Sequence, residues 1–280
     1  MSRIWGCSLL LVLLIPAVAL GAEPGTVICD NPAVSPARVF QWSPFSSVAV
    51  EGVCMDSTHL FIGSVFTGNV VRFSLNGENP VVWSPAITGT DAPGTMAISP
   101  TTGDLYVNDV YDPAGAAEPY LYVFDPDGNG SPKSVLLTGP PSMAPGGIVD
   151  GPQRFAIHPV TGDLYVLDEG YYSEGNEVTW VSRIQRFDAN GNYNGLVINN
   201  VLQAPPDPEE LPVFTCGKWY AAAWLVVDKQ GNIYLGDYGN LNGDIQVIHK
   251  FTSTGACASS SPTTLGLRMR DVDASGSTAG

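Results

Sequence analysis

The chain has 280 residues, with 12 Lys plus Arg against 27 Asp plus Glu, a net charge of -15. A duplex nucleic acid is a poor partner for such a chain, because its binding needs clustered cations that displace counterions. With 44% hydrophobic and only 14% charged residues, wholesale disorder is excluded, and 31 glycines with 23 prolines point to many turns between short strands.

The first element is an export signal. Arg3 supplies a positive start, Leu9 to Ile15 an apolar run, and Ala19-Leu20-Gly21 the small residues of a cleavage site, so residues 1–22 read as a signal peptide. The run is short of the roughly 20 apolar residues of a membrane span, and the mature chain shows no later span. The expectation is a secreted or periplasmic protein. Removing the signal leaves Cys29, Cys54, Cys216 and Cys257, an even number that favours disulfides in an exported chain. Four cysteines allow three pairings, and closeness in sequence favours Cys29–Cys54 and Cys216–Cys257. Residues 23–47 follow, with Val39-Phe40-Gln41-Trp42 as a candidate ring-closing strand.

The body of the chain repeats. Residues 97–109, Ala-Ile-Ser-Pro-Thr-Thr-Gly-Asp-Leu-Tyr-Val-Asn-Asp, match residues 156–168 at ten of thirteen positions, with an offset of 59. Looser copies start at Val226 and Val53. Each copy reads as a strand, a tight turn and a second strand, with Gly supplying positive φ and Asp or Asn a local side-chain bond. A third strand follows each, at Val70–Leu75, Tyr120–Asp125, Ser182–Asp188 and Ile245–Phe251, then a turn and a fourth strand, clearest at Val81–Trp83 and Ser134–Leu137. Four antiparallel strands per unit, repeated several times, describe β-propeller blades. They are expected at about 48–88, 93–140, 151–203 and 219–260. Residues 261–280 open a partial fifth unit, because Val272-Asp273-Ala274-Ser275-Gly276 repeats Val227-Asp228-Lys229-Gln230-Gly231 at an offset of 45. This pattern suggests a truncated propeller; the alternative is a flexible tail, which Ser275 to Gly280 would also suit.

The motifs Ile-x-Pro-x-Thr-Gly-Asp-Leu-Tyr-Val-x-Asp and Val-Asp-x-x-Gly-Asn-Ile-Tyr-Leu-x-Asp resemble NHL-type propeller repeats over residues 48–260. The gluconolactonase-like and streptogramin-lyase-like six-bladed propellers share this texture. The resemblance implies an all-β propeller whose ligand site lies at one mouth of the channel, among loops after the second strands and before the first strands.

Asp109, Asp168 and Asp237 end second strands, and a ring of such carboxylates offers calcium the oxygen ligands it takes. The same Asp is part of the repeat and can equally bond loop backbone. Glu169 and Arg154 depart from the repeat, which makes them ligand-binding candidates. Tyr111, Tyr171, Tyr172, Trp180 and Tyr238 cluster in the regions after second strands, with 110–119 and 169–181 as the longest loops. Aromatics there can stack on a sugar or grip a peptide. His59, His158 and His249 read as turn or surface residues. Asp125-Pro126-Asp127-Gly128-Asn129-Gly130 matches half of a calcium loop but has Leu136 where the last acidic ligand belongs, so it reads as a turn. The expected function is a binding scaffold for a protein, peptide or glycan on the loop face. The alternative is a metal-dependent hydrolase or lyase.

Overall fold

The computed structural model describes residues 50–64, 68–75, 81–84, 93–109, 121–137, 142–149, 152–174, 177–202, 219, 222–237 and 247–258. All of these belong to one compact unit, Ser46–Gly280. The signal peptide, residues 23–47, the stretch 261–280, Cys29, Tyr111, Cys216 and Tyr238 lie outside the described residues.

The described residues contain no helix and therefore none long and apolar enough to cross a membrane. They form fifteen strands. The first sheet holds β1 (Val50–Met55), β2 (His59–Ser64), β3 (Asn69–Ser74) and β4 (Val81–Ser84). The second holds β5 (Pro93–Ile98), β6 (Leu105–Asp109), β7 (Leu121–Phe124) and β8 (Pro132–Leu136). The third holds β9 (Pro152–Ile157), β10 (Leu164–Glu174), β11 (Glu177–Phe187) and β12 (Tyr193–Leu202). The fourth holds β13 (Ala222–Val227), β14 (Ile233–Asp237) and β15 (Val247–Phe251). Within each sheet the strands pair antiparallel in chain order. These sheets are propeller blades: their first strands lie side by side, β1 against β5, β5 against β9 and β9 against β13.

The near-identical hairpins fold alike. The Ser99 amide donates to Asp104 O at 2.8 Å, as His158 does to Asp163 O at 2.8 Å and Asp228 to Asn232 O at 3.0 Å. Three different side chains then hold the same turn. Ser99 Oγ accepts from the Thr102 amide, His158 Nδ1 from the Val160 and Thr161 amides, and Asp228 Oδ1 from the Gln230 and Asn232 amides. That explains a histidine in the repeat: His158 is a turn residue. His59 also sits at a turn, with its amide donating to Asp56 Oδ1.

Side chains alternate across each strand, and in the inner strands of the second and third sheets both sides are covered. In β6, Leu105 and Val107 pack towards the first sheet with Phe61 and Trp83, whereas Tyr106 packs towards the third with Phe155 and Phe187. In β10, Leu164 and Val166 face the second sheet, while Tyr165 and Leu167 face the fourth with Leu225 and Leu235. Each fully buried side chain of this size contributes about 1.5–3 kcal/mol. Polar ties join the outer ends. Arg72 Nη1 donates to Pro126 O at 2.8 Å, Trp83 Nε1 to Gly128 O at 3.0 Å, and Tyr106 OH to Ala189 O at 2.9 Å. The half calcium loop is thus an outer turn, closed by the Gly128 amide on Asp125 O and held by two side chains of the first sheet. Gly255 serves the corresponding turn of the fourth sheet. Its φ is +79° and a Cβ there would fall on the Val197 carbonyl of the third, so only glycine fits.

Candidate functional site

The third sheet differs from the others. β10 and β11 run eleven residues each, yet β10 pairs with β9 only from Leu164 to Asp168. Beyond Asp168, β10 continues in register with β11 up to Glu174 opposite Glu177. β12 accompanies this extension as far as Leu202 opposite Trp180. The stretch 169–181, expected as a loop, is therefore mostly strand. Its β-branched and aromatic residues take up the pleat, and only two residues separate the strands.

Alternation along this extension sorts the sequence candidates onto two faces. Asp168 continues the row of Leu164 and Val166, towards the second sheet. It is fully buried, with Arg183 Nε at 2.9 Å from Oδ2 and the Val149 amide at 2.8 Å from Oδ1. Arg183 spends its other donors on the carbonyls of Ser142, Met143 and Gly147. Gln185 adds bonds to Gly147 O and from the Gly146 amide. Asp168 is thus the anchor of a clamp that holds segment 142–149 on the sheet.

Glu169 continues the row of Tyr165 and Leu167, towards the fourth sheet. Its Oε2 accepts from Ser182 Oγ at 2.7 Å and from Trp219 Nε1 at 3.1 Å. Across the gap stands Asp237, whose Oδ2 is 3.5 Å from His249 Nε2. Both of those side chains are buried. Burial raises the Glu169 carboxyl above its ordinary range; the bonds from Ser182 and Trp219 oppose this, and the Asp237 charge adds to it. His249 stacks on Phe251 with ring centroids 6.2 Å apart, and its Nδ1 is buried without a hydrogen-bond partner among the described residues. His249 is therefore a buried member of this cluster and not a surface residue. It lies opposite Leu235 in β15, on the face that the third sheet covers.

Above Glu169 on the same face stand Tyr171 and Trp180, paired across the strands. Their ring centroids are 4.7 Å apart in an edge-on contact, and Tyr171 is 53% exposed. Trp180 Nε1 is buried with no acceptor among the described residues. Tyr172 falls on the opposite face, across from Thr179. Arg154 lies on β9 opposite Leu167, half-buried.

Asp168 and Asp237, two of the repeat aspartates, do not come together. Asp109 pairs with Pro93 at the matching place in the second sheet. Asp168 and Asp237 each look back at the preceding sheet, into separate gaps, where Arg183 and His249 stand against them. Among the described residues no three His, Cys, Asp or Glu side chains are grouped to hold a metal ion. Asp168 and Asp237 thus do not share the calcium ring that the repeat suggested. Cys54 carries a free thiol and so is not paired with Cys29; burial pushes it far up from its ordinary value, with Asp56 adding to the shift. Cys257 carries no free thiol.

No protein-family model matches the chain, and no curated protein matches it. Solved structures do. One is a chain of a nidogen/laminin complex, 14% identical, covering 72% of this chain and 60% of that one with a TM-score of 0.49. Another is regucalcin, a calcium-binding protein from Agrobacterium tumefaciens, 12% identical over 75% of this chain and 59% of its own, with a TM-score of 0.45. A third is a protein of unknown function from Bacteroides thetaiotaomicron, 14% identical over 70% and 46%, with a TM-score of 0.44. The chain spans between 46% and 60% of the length of these structures.

Proposed function

We propose that this propeller chain is a secreted or periplasmic binding scaffold that holds a glycan on the extended edge of its third blade. The observation that carries the reading is the Tyr171–Trp180 pair: an exposed ring, braced edge-on by a second ring, on strands that outrun the blade. Such a ring offers its face to the apolar side of a sugar. The rigid sheet beneath keeps the ordering cost of binding low. A Cys216–Cys257 disulfide belongs to the same export reading, and a non-reducing peptide map tests it.

The experiment is a binding screen of the mature chain against a panel of oligosaccharides and unstructured peptides, repeated with Tyr171→Ala. Binding to one or more glycans that is lost in Tyr171→Ala supports the proposal. Binding confined to peptides, or glycan binding indifferent to Tyr171→Ala, contradicts it.

A further inference from the structure

The three interfaces between consecutive sheets share one plan. The first strand of each sheet lies against the first strand of the next. The forward faces of the first three sheets are thereby covered: Phe61 is 0% exposed, Tyr106 and Tyr165 2%, and Ala156 8%. The fourth sheet departs from this. Val226 stands opposite Tyr234 just as Ala156 stands opposite Tyr165, yet Val226 is 50% exposed. Trp224, two positions back on the same face, is 40% exposed. Lys250 Nζ lies 5.1 Å from the centre of the Tyr234 ring on that face. An apolar sheet face of this kind marks an interaction surface.

We propose that the occupant of this face is the stretch 267–273 of the same chain, docking as the first strand of a further blade. Twenty-two residues follow Ala258, and within them Val272-Asp273-Ala274-Ser275-Gly276 repeats Val227-Asp228-Lys229-Gln230-Gly231, the place where β13 enters its turn. Leu225 and Val227 are the β13 residues that face the preceding sheet. Val272 and Arg270 align with them, and Arg268 falls on the same side.

The interface between the first two sheets shows what these positions meet. Gly52 stands opposite Gly63 as Trp224 stands opposite Gly236. A Cβ on Gly52 would run into the Gly94 carbonyl beside Met96, so a strand docking over Trp224 stands further out than β5 does over Gly52; the places of Gly94 and Met96 in the repeat are those of Arg268 and Arg270. Two of the chain's 12 Lys plus Arg thus alternate where a strand would set both over the Trp224 indole. A guanidinium over an indole face is a favourable pairing, and the arginine stems cover apolar surface.

The test is a pair of cysteines in the full chain, Val226→Cys with Val272→Cys, oxidised and mapped by mass spectrometry. The guide is Cys54 and Ile98, which hold the equivalent places and pack on one core. An intramolecular cross-link between positions 226 and 272 is the expected result. A cross-link between two molecules assigns the face to a second copy and overturns the proposal, as does no cross-link at all. Hydrogen exchange is the second readout. Arg268→Glu with Arg270→Glu is expected to speed exchange of the β13 amides at least severalfold, whereas unchanged protection contradicts the docking.

Discussion

Asp168 and Glu169 are neighbours in one strand and work in different gaps. Asp168 meets Arg183 at 2.9 Å on the side of the second sheet, and Glu169 meets Ser182 at 2.7 Å on the side of the fourth. One step along the pleat separates a carboxylate that secures a loop from one that sits under an aromatic ledge.

Asp168→Ala leaves the Arg183 guanidinium buried without its counter-charge. Breaking a buried pair from one side costs about 3–5 kcal/mol. Urea unfolding of the two proteins is the measurement, and the variant midpoint is expected well below that of the parent at every calcium concentration. A loss below about 1 kcal/mol, or a loss that appears only when calcium is present, would contradict the structural role.

Glu169 gives stability a definite pH dependence. Its carboxyl is raised above 4.5 in the folded chain, so above that pH the folded state holds a proton that the unfolded state has released. Stability from this group is fully present below 4.5 and falls as pH rises through the raised value. Asp56, Asp188 and Asp228 are held below 3.8 and act in a lower window. Glu169→Gln stays neutral throughout. Its stability relative to the parent is expected to rise as pH goes up from 4.5, read from urea midpoints in a pH series. Parallel profiles would contradict the assignment.

The blades were legible because the hairpin turn is written in residues with specific backbone demands. Thr161-Gly162-Asp163 and Gln230-Gly231-Asn232 announce the same turn, and the glycines have φ of +78° and +82°. The faces were less legible. Strands buried on both sides are apolar at every position, so the hydrophobic pattern does not say which sheet a residue meets. That is why the sequence placed both Asp168 and Glu169 at the channel mouth and not in separate gaps. His249 was missed for the same reason: in Val247-Ile248-His249-Lys250-Phe251 its parity with Phe251 was the signal of burial. The extension of β10 was hidden by Gly170 and Gly175, although Tyr171, Tyr172, Val178 and Trp180 favour strand. The pairing of Cys54 rested on nearness in sequence, which says nothing of distance in space.

Tyr106 ties the second sheet to the third through its hydroxyl on Ala189 O at 2.9 Å. Tyr106→Phe keeps the ring and removes that bond, and a loss of about 1 kcal/mol is expected. Thermal unfolding measures it. A variant as stable as the parent would show that the ring alone holds the two sheets together.

Binding and folding separate most directly at Tyr171. Its ring is 53% exposed and faces the fourth-sheet side of the extension, so little folded-state packing depends on it. The decisive measurement is a calorimetric titration of parent and Tyr171→Ala with the tightest-binding glycan of the panel, alongside thermal unfolding of both. The expected result is an unfolding temperature shifted by no more than about 2–4 °C, the effect of roughly 1 kcal/mol, with affinity reduced at least tenfold. Unchanged affinity in a folded Tyr171→Ala would contradict a ligand site on this ledge.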